Sequence, residues 1–285
     1  MQLLRPANVV TAISDVLAGV ALGCLFLQLP LPTTLALSYL VVATLFLYAG
    51  GIVFNDVFDA DLDAVERPER PIPSGRVSRM AAAYLGSICF LLGCIFAFLV
   101  GLLPLLIALA IVVMCFVYNM KAKHHFLLGP LVMGSCRGLN LLLGLCVFPG
   151  ALAYAYIGLV PLLYIAAVTN ISRGEVYGDN KRAMQVSMLL YAIVIGLLLY
   201  FTYLTQHFLA CLFIGGFSIL IFKPLLKALK TVAPADIRKS VKSGMMALIL
   251  LNASWIAISG FWLMAACVVL LLPISLSLAH KFAVT

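Results

Sequence analysis

The chain has 285 residues, 65% hydrophobic and only 10% charged, with mean hydropathy +1.17 and net charge +8. Soluble domains carry about 25% charged residues, so a soluble globular protein is excluded and one membrane-embedded domain over residues 1–285 is expected. The positive excess needs no nucleic acid, because its placement follows the membrane.

Apolar runs predict ten helices, at 9–29, 33–54, 80–100, 103–119, 129–149, 151–171, 184–204, 207–222, 243–258 and 261–280. About 20 residues cross a bilayer, so most of these suffice, while 207–222 and 243–258 are short. Closely spaced pairs also fit broken or re-entrant helices. The first run is too long and too weakly flanked for a cleaved signal peptide.

Basic residues punctuate alternate connections. Arg5 precedes the first run. Arg67, Arg70, Arg76 and Arg79 follow the second, and Lys121 and Lys123 the fourth. Arg173, Lys181 and Arg182 follow the sixth, six more between Lys223 and Lys242 the eighth, and Lys281 the tenth. The intervening connections carry no Lys or Arg. Basic residues are retained on the cytoplasmic side, which puts both termini and every charged loop there. The bilayer is thus the first partner, and its anionic headgroups suit the basic side. The eight cysteines lie in apolar runs without metal-ligand spacing and read as small buried side chains, not a disulfide framework.

Six of the ten acidic residues lie in the fourteen from Asp56 to Glu69. If the second helix continues into 55–63, successive residues advance by about 100°. Asn55, Asp56, Asp59 and Asp63 then share one face, and Asp61 points away. Such a wall of hard oxygen ligands suits Mg²⁺, which completes its shell with water and substrate phosphate. The arginines that follow suit bidentate phosphate contacts. The alternative is a solvated interfacial loop of mixed charge. A calcium-binding loop fails, because Ala64 stands where glycine is needed and Arg70 where glutamate is needed.

A second acid-then-base element runs from Thr169 to Arg182. Glu175 and Asp179 are one turn apart, Gly178 permits close approach, and Lys181 and Arg182 follow. A solvated helix end reads the same way in isolation. Between these elements lie Tyr118, Lys121, Lys123, His124 and His125. A phosphate-contacting lysine fits there, but adjacent histidines do not share a helix face and make a poor metal pair. Inside the membrane, Asp15, Arg137 and Asn140 are costly unless paired or solvated. They line a polar cavity or form a buried pair that orients helices.

The pattern N55-D56-x-x-D59-x-x-x-D63, followed by R-P-I-P-S-G-R over Arg70 to Arg76, resembles the first motif of the UbiA superfamily of intramembrane aromatic prenyltransferases. The opening L-R-P-A-N-V-V-T, Leu4 to Thr11, is similar to the family's entry into its first helix. The order of elements resembles the family along most of the chain. The resemblance implies an all-α, polytopic bundle of nine membrane helices around a central cavity, against the ten counted from hydropathy. It implies that Asp56, Asp59 and Asp63 face Glu175 and Asp179 across the cavity mouth and hold Mg²⁺ and an isoprenyl diphosphate. Asn55, Arg67, Lys121 or Lys123, Lys181 and Arg182 are then diphosphate contacts. The family's second motif usually reads D-x-x-x-D, and Glu175 departs from it. The departures suggest a divergent branch such as the EboC-like one, with an acceptor that need not be aromatic.

The activity implied is prenyl transfer to a small acceptor. Cations stabilise the leaving diphosphate, and the apolar bundle keeps water from the allylic cation. The alternatives are a non-catalytic lipid-binding or transport relative and another membrane transferase that handles diphosphates. A transporter would place its polar groups near the midplane. A CDP-alcohol phosphotransferase needs D-x-x-D-G, where this chain has Ala60. Hydropathy excludes a soluble prenyl-chain synthase.

Overall fold

A computed structural model describes residues 6–123, 125–175, 178 and 181–281. Twelve α-helices account for nearly all of it. They are α1 (Pro6–Leu27), α2 (Thr34–Phe58), α3 (Ala60–Glu66), α4 (Arg79–Val100), α5 (Leu102–Val117), α6 (Leu128–Leu145), α7 (Leu159–Ser172), α8 (Lys181–Thr205), α9 (Ala210–Thr231), α10 (Pro234–Ile258), α11 (Trp262–Val269) and α12 (Leu271–Lys281). A π-helical turn, Tyr118–Ala122, extends α5, and a 3-10 helix, Pro149–Gly158, leads into α7.

Among the described residues, nine helical segments are long and apolar enough to cross a membrane. The tenth expected span, 261–280, is instead two pieces of 8 and 11 residues, α11 and α12. Pro273 explains the break. It has no N–H to offer the carbonyl of Val269, four residues back, and α11 ends at Val269. At about 1.5 Å per residue, neither piece spans about 30 Å of hydrocarbon.

The two runs that looked short are long helices. Their polar ends continue as α9 and α10, joined only by Val232 and Ala233, with Val232 in the left-handed region at φ 51°. The segment Lys223–Lys242 is therefore a helical hairpin and not a charged loop. Pro224 inside α9 leaves the Leu220 carbonyl without its helical donor, and the Ser243 hydroxyl of α10 donates to it at 2.6 Å.

Helices α1 and α10 are the most buried, and they form the centre of the bundle. Helix α4 presents Leu85, Ile88, Leu91, Ile95 and Leu99 outward, an apolar stripe suited to lipid. Helices α1 and α6 meet backbone to backbone. A Cβ at Gly19 would lie 2.0 Å from the Leu141 carbonyl oxygen, and one at Gly144 would lie 2.0 Å from that of Val16. Small residues of this kind let membrane helices approach closely.

The connections after α3, α5, α7 and α9 gather at one end. Lys123 pairs with Asp59, and the Arg173 guanidinium donates to the Phe126 carbonyl while stacking 4.3 Å from the Phe126 ring. Gly178, at φ +73°, lies so near Val232 that a Cβ would sit 2.8 Å from its carbonyl oxygen. The close approach expected at Gly178 is thus to backbone.

Candidate active site

Helix α2 carries the acidic motif out of the apolar layer. It runs to Phe58 and bends at Asp59 (φ −85°, ψ −1°), and α3 follows. The turn-to-turn bonding persists through the bend. Asp59 N–H donates to the Asn55 carbonyl at 3.0 Å, and Asp63 N–H to that of Asp59 at 2.8 Å. Asp56 and Asp63 are buried, and Asp59 is mostly so. Asp61 lies outside this face, 86% exposed, with Arg79 beside it at 3.1 Å.

Each of the three inward carboxylates has a cation. Arg70 Nη1 lies 2.5 Å from Asp63 Oδ2 and 3.6 Å from Asp56 Oδ1. Lys123 Nζ pairs with Asp59 Oδ2. Arg70 is the residue that spacing arguments missed. It reaches back because Pro68, Pro71 and Pro73 stop the helix and the loop folds on itself. Arg70 N–H donates to the Arg67 carbonyl at 3.1 Å, Ser74 N–H to that of Arg70 at 3.0 Å, and Val77 N–H to that of Pro71 at 3.0 Å. The only signal in the sequence was membership of R-P-I-P-S-G-R.

The other expected diphosphate contacts separate. Lys123 stands at the site, on the end of the π-helical turn, an irregularity frequent at functional sites. Lys121 points outward and is exposed. Arg67 is exposed, and Lys181 and Arg182 begin α8 fully on the surface. Asn55 donates through Nδ2 to Asn119 Oδ1 at 2.9 Å, and Asn119 in turn to the Cys115 carbonyl at 2.9 Å. Asn119 had no signature of its own beside Tyr118. His125 is occupied as a helix cap, its Nδ1 accepting from Leu127 and Leu128 N–H at 3.2 Å each, while His124 lies outside the described residues.

Glu175 is half-buried beyond the end of α7. Burial raises its pKa, and the nearby Arg238 and Arg67 partly oppose that rise. Arg67 belongs to the loop after the first motif, so the two acidic elements lie within electrostatic reach of each other. Asp179 lies outside the described residues. Among those described, no three His, Cys, Asp or Glu side chains already converge on one point.

Below this mouth is a cavity of about 260 Å³ between α2, α5, α6 and α10. Asn55, Asn119 and Lys123 form its polar rim. Leu47, Ile52, Ile111, Met133 and Met245 line its apolar walls. Arg137 and Asn140 close its deep end, with the Arg137 guanidinium 5.0 Å from the centre of the Tyr48 ring. There Arg137 Nη1 donates to Asp15 Oδ2 at 2.6 Å and Nη2 to Thr11 Oγ1 at 2.6 Å. Asn140 donates to Asp15 at 3.0 Å and accepts from Thr44 at 2.6 Å. Asn252 of α10 donates to Asp15 Oδ1 at 2.7 Å and Ser14 Oγ at 2.8 Å. The two readings of Asp15, Arg137 and Asn140 therefore merge. They form a buried pair that ties helices, and Arg137 and Asn140 also face the cavity.

The chain is similar to known proteins in both sequence and fold. Over 144 residues it is 34% identical to the digeranylgeranylglyceryl phosphate synthase of Methanothermobacter thermautotrophicus, covering 50% of this chain and 49% of that one. Over 165 residues it is 31% identical to the enzyme of that name from Sulfurisphaera tokodaii, covering 58% and 57%. The matched part thus spans only about half the length of these curated relatives. The fold is shared with a UbiA homologue of Aeropyrum pernix at TM-score 0.70 and 17% identity, covering 86% of this chain and 96% of that one. It is also shared with a UbiA homologue of Archaeoglobus fulgidus bound to GPP and Mg²⁺, at TM-score 0.60 and 17% identity, covering 91% and 100%. These matches bear on the family and not on an EboC-like branch within it. The model of the UbiA prenyltransferase family matches residues 16–241, and the chain, with nine helices long and apolar enough to cross a membrane among its described residues, belongs to that family.

Proposed function

We propose that this protein transfers an isoprenyl group from an allylic prenyl diphosphate to an acceptor within the membrane, in a Mg²⁺-dependent reaction that releases diphosphate. The observation that carries this is the acidic wall of Asp56, Asp59 and Asp63 standing over a cavity whose rim is polar and whose walls are apolar. Residues 1–285 act as one membrane domain. The acidic mouth faces the cytoplasm, the side to which the Lys and Arg distribution assigns the charged connections.

The donor set fits the metal. Asp56, Asp59, Asp63 and Glu175, with Asp179, offer only carboxylate oxygens, the ligands a hard divalent cation takes. A single cationic nitrogen already lies between Asp56 and Asp63, so the two carboxylates are close enough to share one positive centre. When bound, Mg²⁺ supplies charge neutralisation of the diphosphate. The chain's own residues do the rest. Lys123, at the rim, donates to diphosphate oxygens and favours negative charge developing there. Asn55 and Asn119 fix the rim by their mutual hydrogen bond. The walls around Ile52, Ile111 and Met133 take the prenyl chain and exclude water from the allylic carbon. Arg238 and Arg67, within electrostatic reach of Glu175, add positive potential on the second flank. Lys181 and Arg182 contribute from the surface as attraction for an anionic substrate.

The product for which the relatives are named, digeranylgeranylglyceryl phosphate, makes a phosphorylated glycerol lipid the acceptor class to test first, with geranylgeranyl diphosphate as donor. Purified protein in liposomes, given labelled donor and Mg²⁺, should release diphosphate and label the acceptor. Movement of label across the bilayer without diphosphate release would overturn the reading in favour of a transporter. Binding without turnover would favour a non-catalytic relative.

A further inference from the structure

The three inward carboxylates stand within two helical turns, and each is held by a cation that is not part of the acidic motif. Arg70 Nη1 reaches Asp63 at 2.5 Å and Asp56 at 3.6 Å, and Lys123 holds Asp59. These pairs differ from the surface pair Arg79–Asp61, whose side chains are 48% and 86% exposed. The Arg70 side chain is 16% exposed, against 6% and 7% for Asp56 and Asp63. A shielded pair of this kind cannot simply lose one partner to water, because the remaining charge is left buried and uncompensated.

Both cations are held on defined supports. Arg70 is presented by a loop pinned by its own hydrogen bonds and by Arg76, whose Nε donates to Ser74 Oγ at 2.9 Å and whose Nη2 donates to the Glu69 carbonyl. Lys123 caps the π-helical turn, its N–H donating to the Tyr118 carbonyl at 2.9 Å, and it lines the cavity. The guanidinium and the ammonium each take one oxygen of these carboxylates, and their positive charge repels a divalent cation approaching the same groups. The metal binds best when it displaces them. The displaced side chains then stand at the cavity mouth without a partner, and a diphosphate is the anion that accepts both, with the forked guanidinium suited to two of its oxygens.

We propose that Arg70 and Lys123 are resident counter-cations that change partners on loading, from the carboxylates to the diphosphate. Metal and prenyl diphosphate consequently bind cooperatively, and Arg70 is a diphosphate-binding residue of the site. This rests on the proposed transferase function and adds a requirement to it. Because coupling between two ligands is reciprocal, each must tighten the other by the same factor, with about 5- to 150-fold typical of such linkage.

The test is titration calorimetry of Mg²⁺ into the full-length protein in detergent, with and without a geranylgeranyl thiolodiphosphate that resists ionisation. In the wild type, the analogue should tighten Mg²⁺ by about tenfold or more. In Arg70→Gln, Mg²⁺ alone should bind more tightly than in the wild type, and most of the tightening by the analogue should disappear. Arg70→Lys, which keeps the charge but loses the fork, should fall between. Equal Mg²⁺ affinity with and without analogue in the wild type would overturn the exchange, and that measurement needs no variant to fold. Arg70→Gln binding Mg²⁺ alone no more tightly than the wild type would also overturn it. If the protein still releases diphosphate in Mg²⁺, either result leaves the transferase reading standing. Failure to bind Mg²⁺ under either condition would defeat both.

Discussion

Asp63–Arg70 at the cavity mouth and Asp15–Arg137 in the bundle are the same chemical pair, at 2.5 Å and 2.6 Å, put to different uses. Asp15 is fully buried and receives bonds from Arg137, Asn140 and Asn252, so α1, α6 and α10 all converge on one carboxylate. Its lone pairs are saturated by side chains on packed helices. Arg70, by contrast, comes from a loop, and it is shared between two carboxylates with a cavity beside them. What separates scaffold from site here is how many neighbours saturate the carboxylate, and whether its cation has somewhere else to go.

That contrast can be broken most directly at Asp15. Asp15→Ala leaves Arg137 buried and unpaired, and removal of one member of a buried pair costs about 3–5 kcal/mol. Thermal unfolding in detergent should show a large loss, or no folded protein at all. A folded, fully stable Asp15→Ala variant would place the network outside the scaffold. The converse holds at the mouth. Asp56→Ala or Asp59→Ala should lower prenyl transfer about 10³-fold, at a smaller cost in unfolding temperature than Asp15→Ala, because these variants relieve repulsion as well as losing a pair. Unchanged turnover in either variant would remove the acidic wall from the chemistry.

A smaller effect sharpens the scaffold side. Asp15 reaches Arg137 because α1 and α6 approach at Gly19 and Gly144. Gly144→Ala would push a methyl to within 2.0 Å of the Val16 carbonyl oxygen unless the helices part. Overpacking of this kind costs about 1–3 kcal/mol. The loss should appear in unfolding temperature, accompanied by a modest fall in activity, since the deep wall of the cavity moves with α6.

These differences also mark what the sequence could and could not convey. The first nine membrane helices and the acidic face follow local rules, hydropathy over about 20 residues and 100° per residue, and both are legible in a linear string, whereas hydropathy alone overcounts by the tenth run. Asp61 was separable from Asp59 and Asp63 on that ground alone. The break that Pro273 imposes on the tenth run after Val269 was also readable in principle, because it rests on one missing N–H. Arg70 was not, since its position depends on a loop that turns back on itself through three prolines and seven residues of separation from Asp63. Asn252 is 237 residues from the carboxylate it serves, and no periodicity links them. Lys121 and Lys123, two residues apart, fall on opposite faces of any helix, but which of the two faces the cavity depends on how the π-helical turn after α5 is set against α2 and α6.

The smallest expected effect concerns the flank where the second motif departs from its family. Glu175 is half-buried, and burial raises its carboxyl pKa against the opposing pull of Arg238 and Arg67. For an acid whose native pKa lies above its unfolded one, the native state binds the extra proton between the two values. Stability is therefore greatest below the ordinary carboxylate range. It falls as pH rises through the raised value of Glu175 and is level above it. Glu175→Gln removes this titration. The variant should gain on the wild type as pH climbs from about 4 through that window, and then hold a constant small advantage near neutrality. Unfolding midpoints of the two proteins, measured across pH in one detergent, test the sign. A gap that widens toward acid instead would mean that Arg67 and Arg238 outweigh burial, and Glu175 would then belong with the paired carboxylates of the first motif rather than standing apart from them.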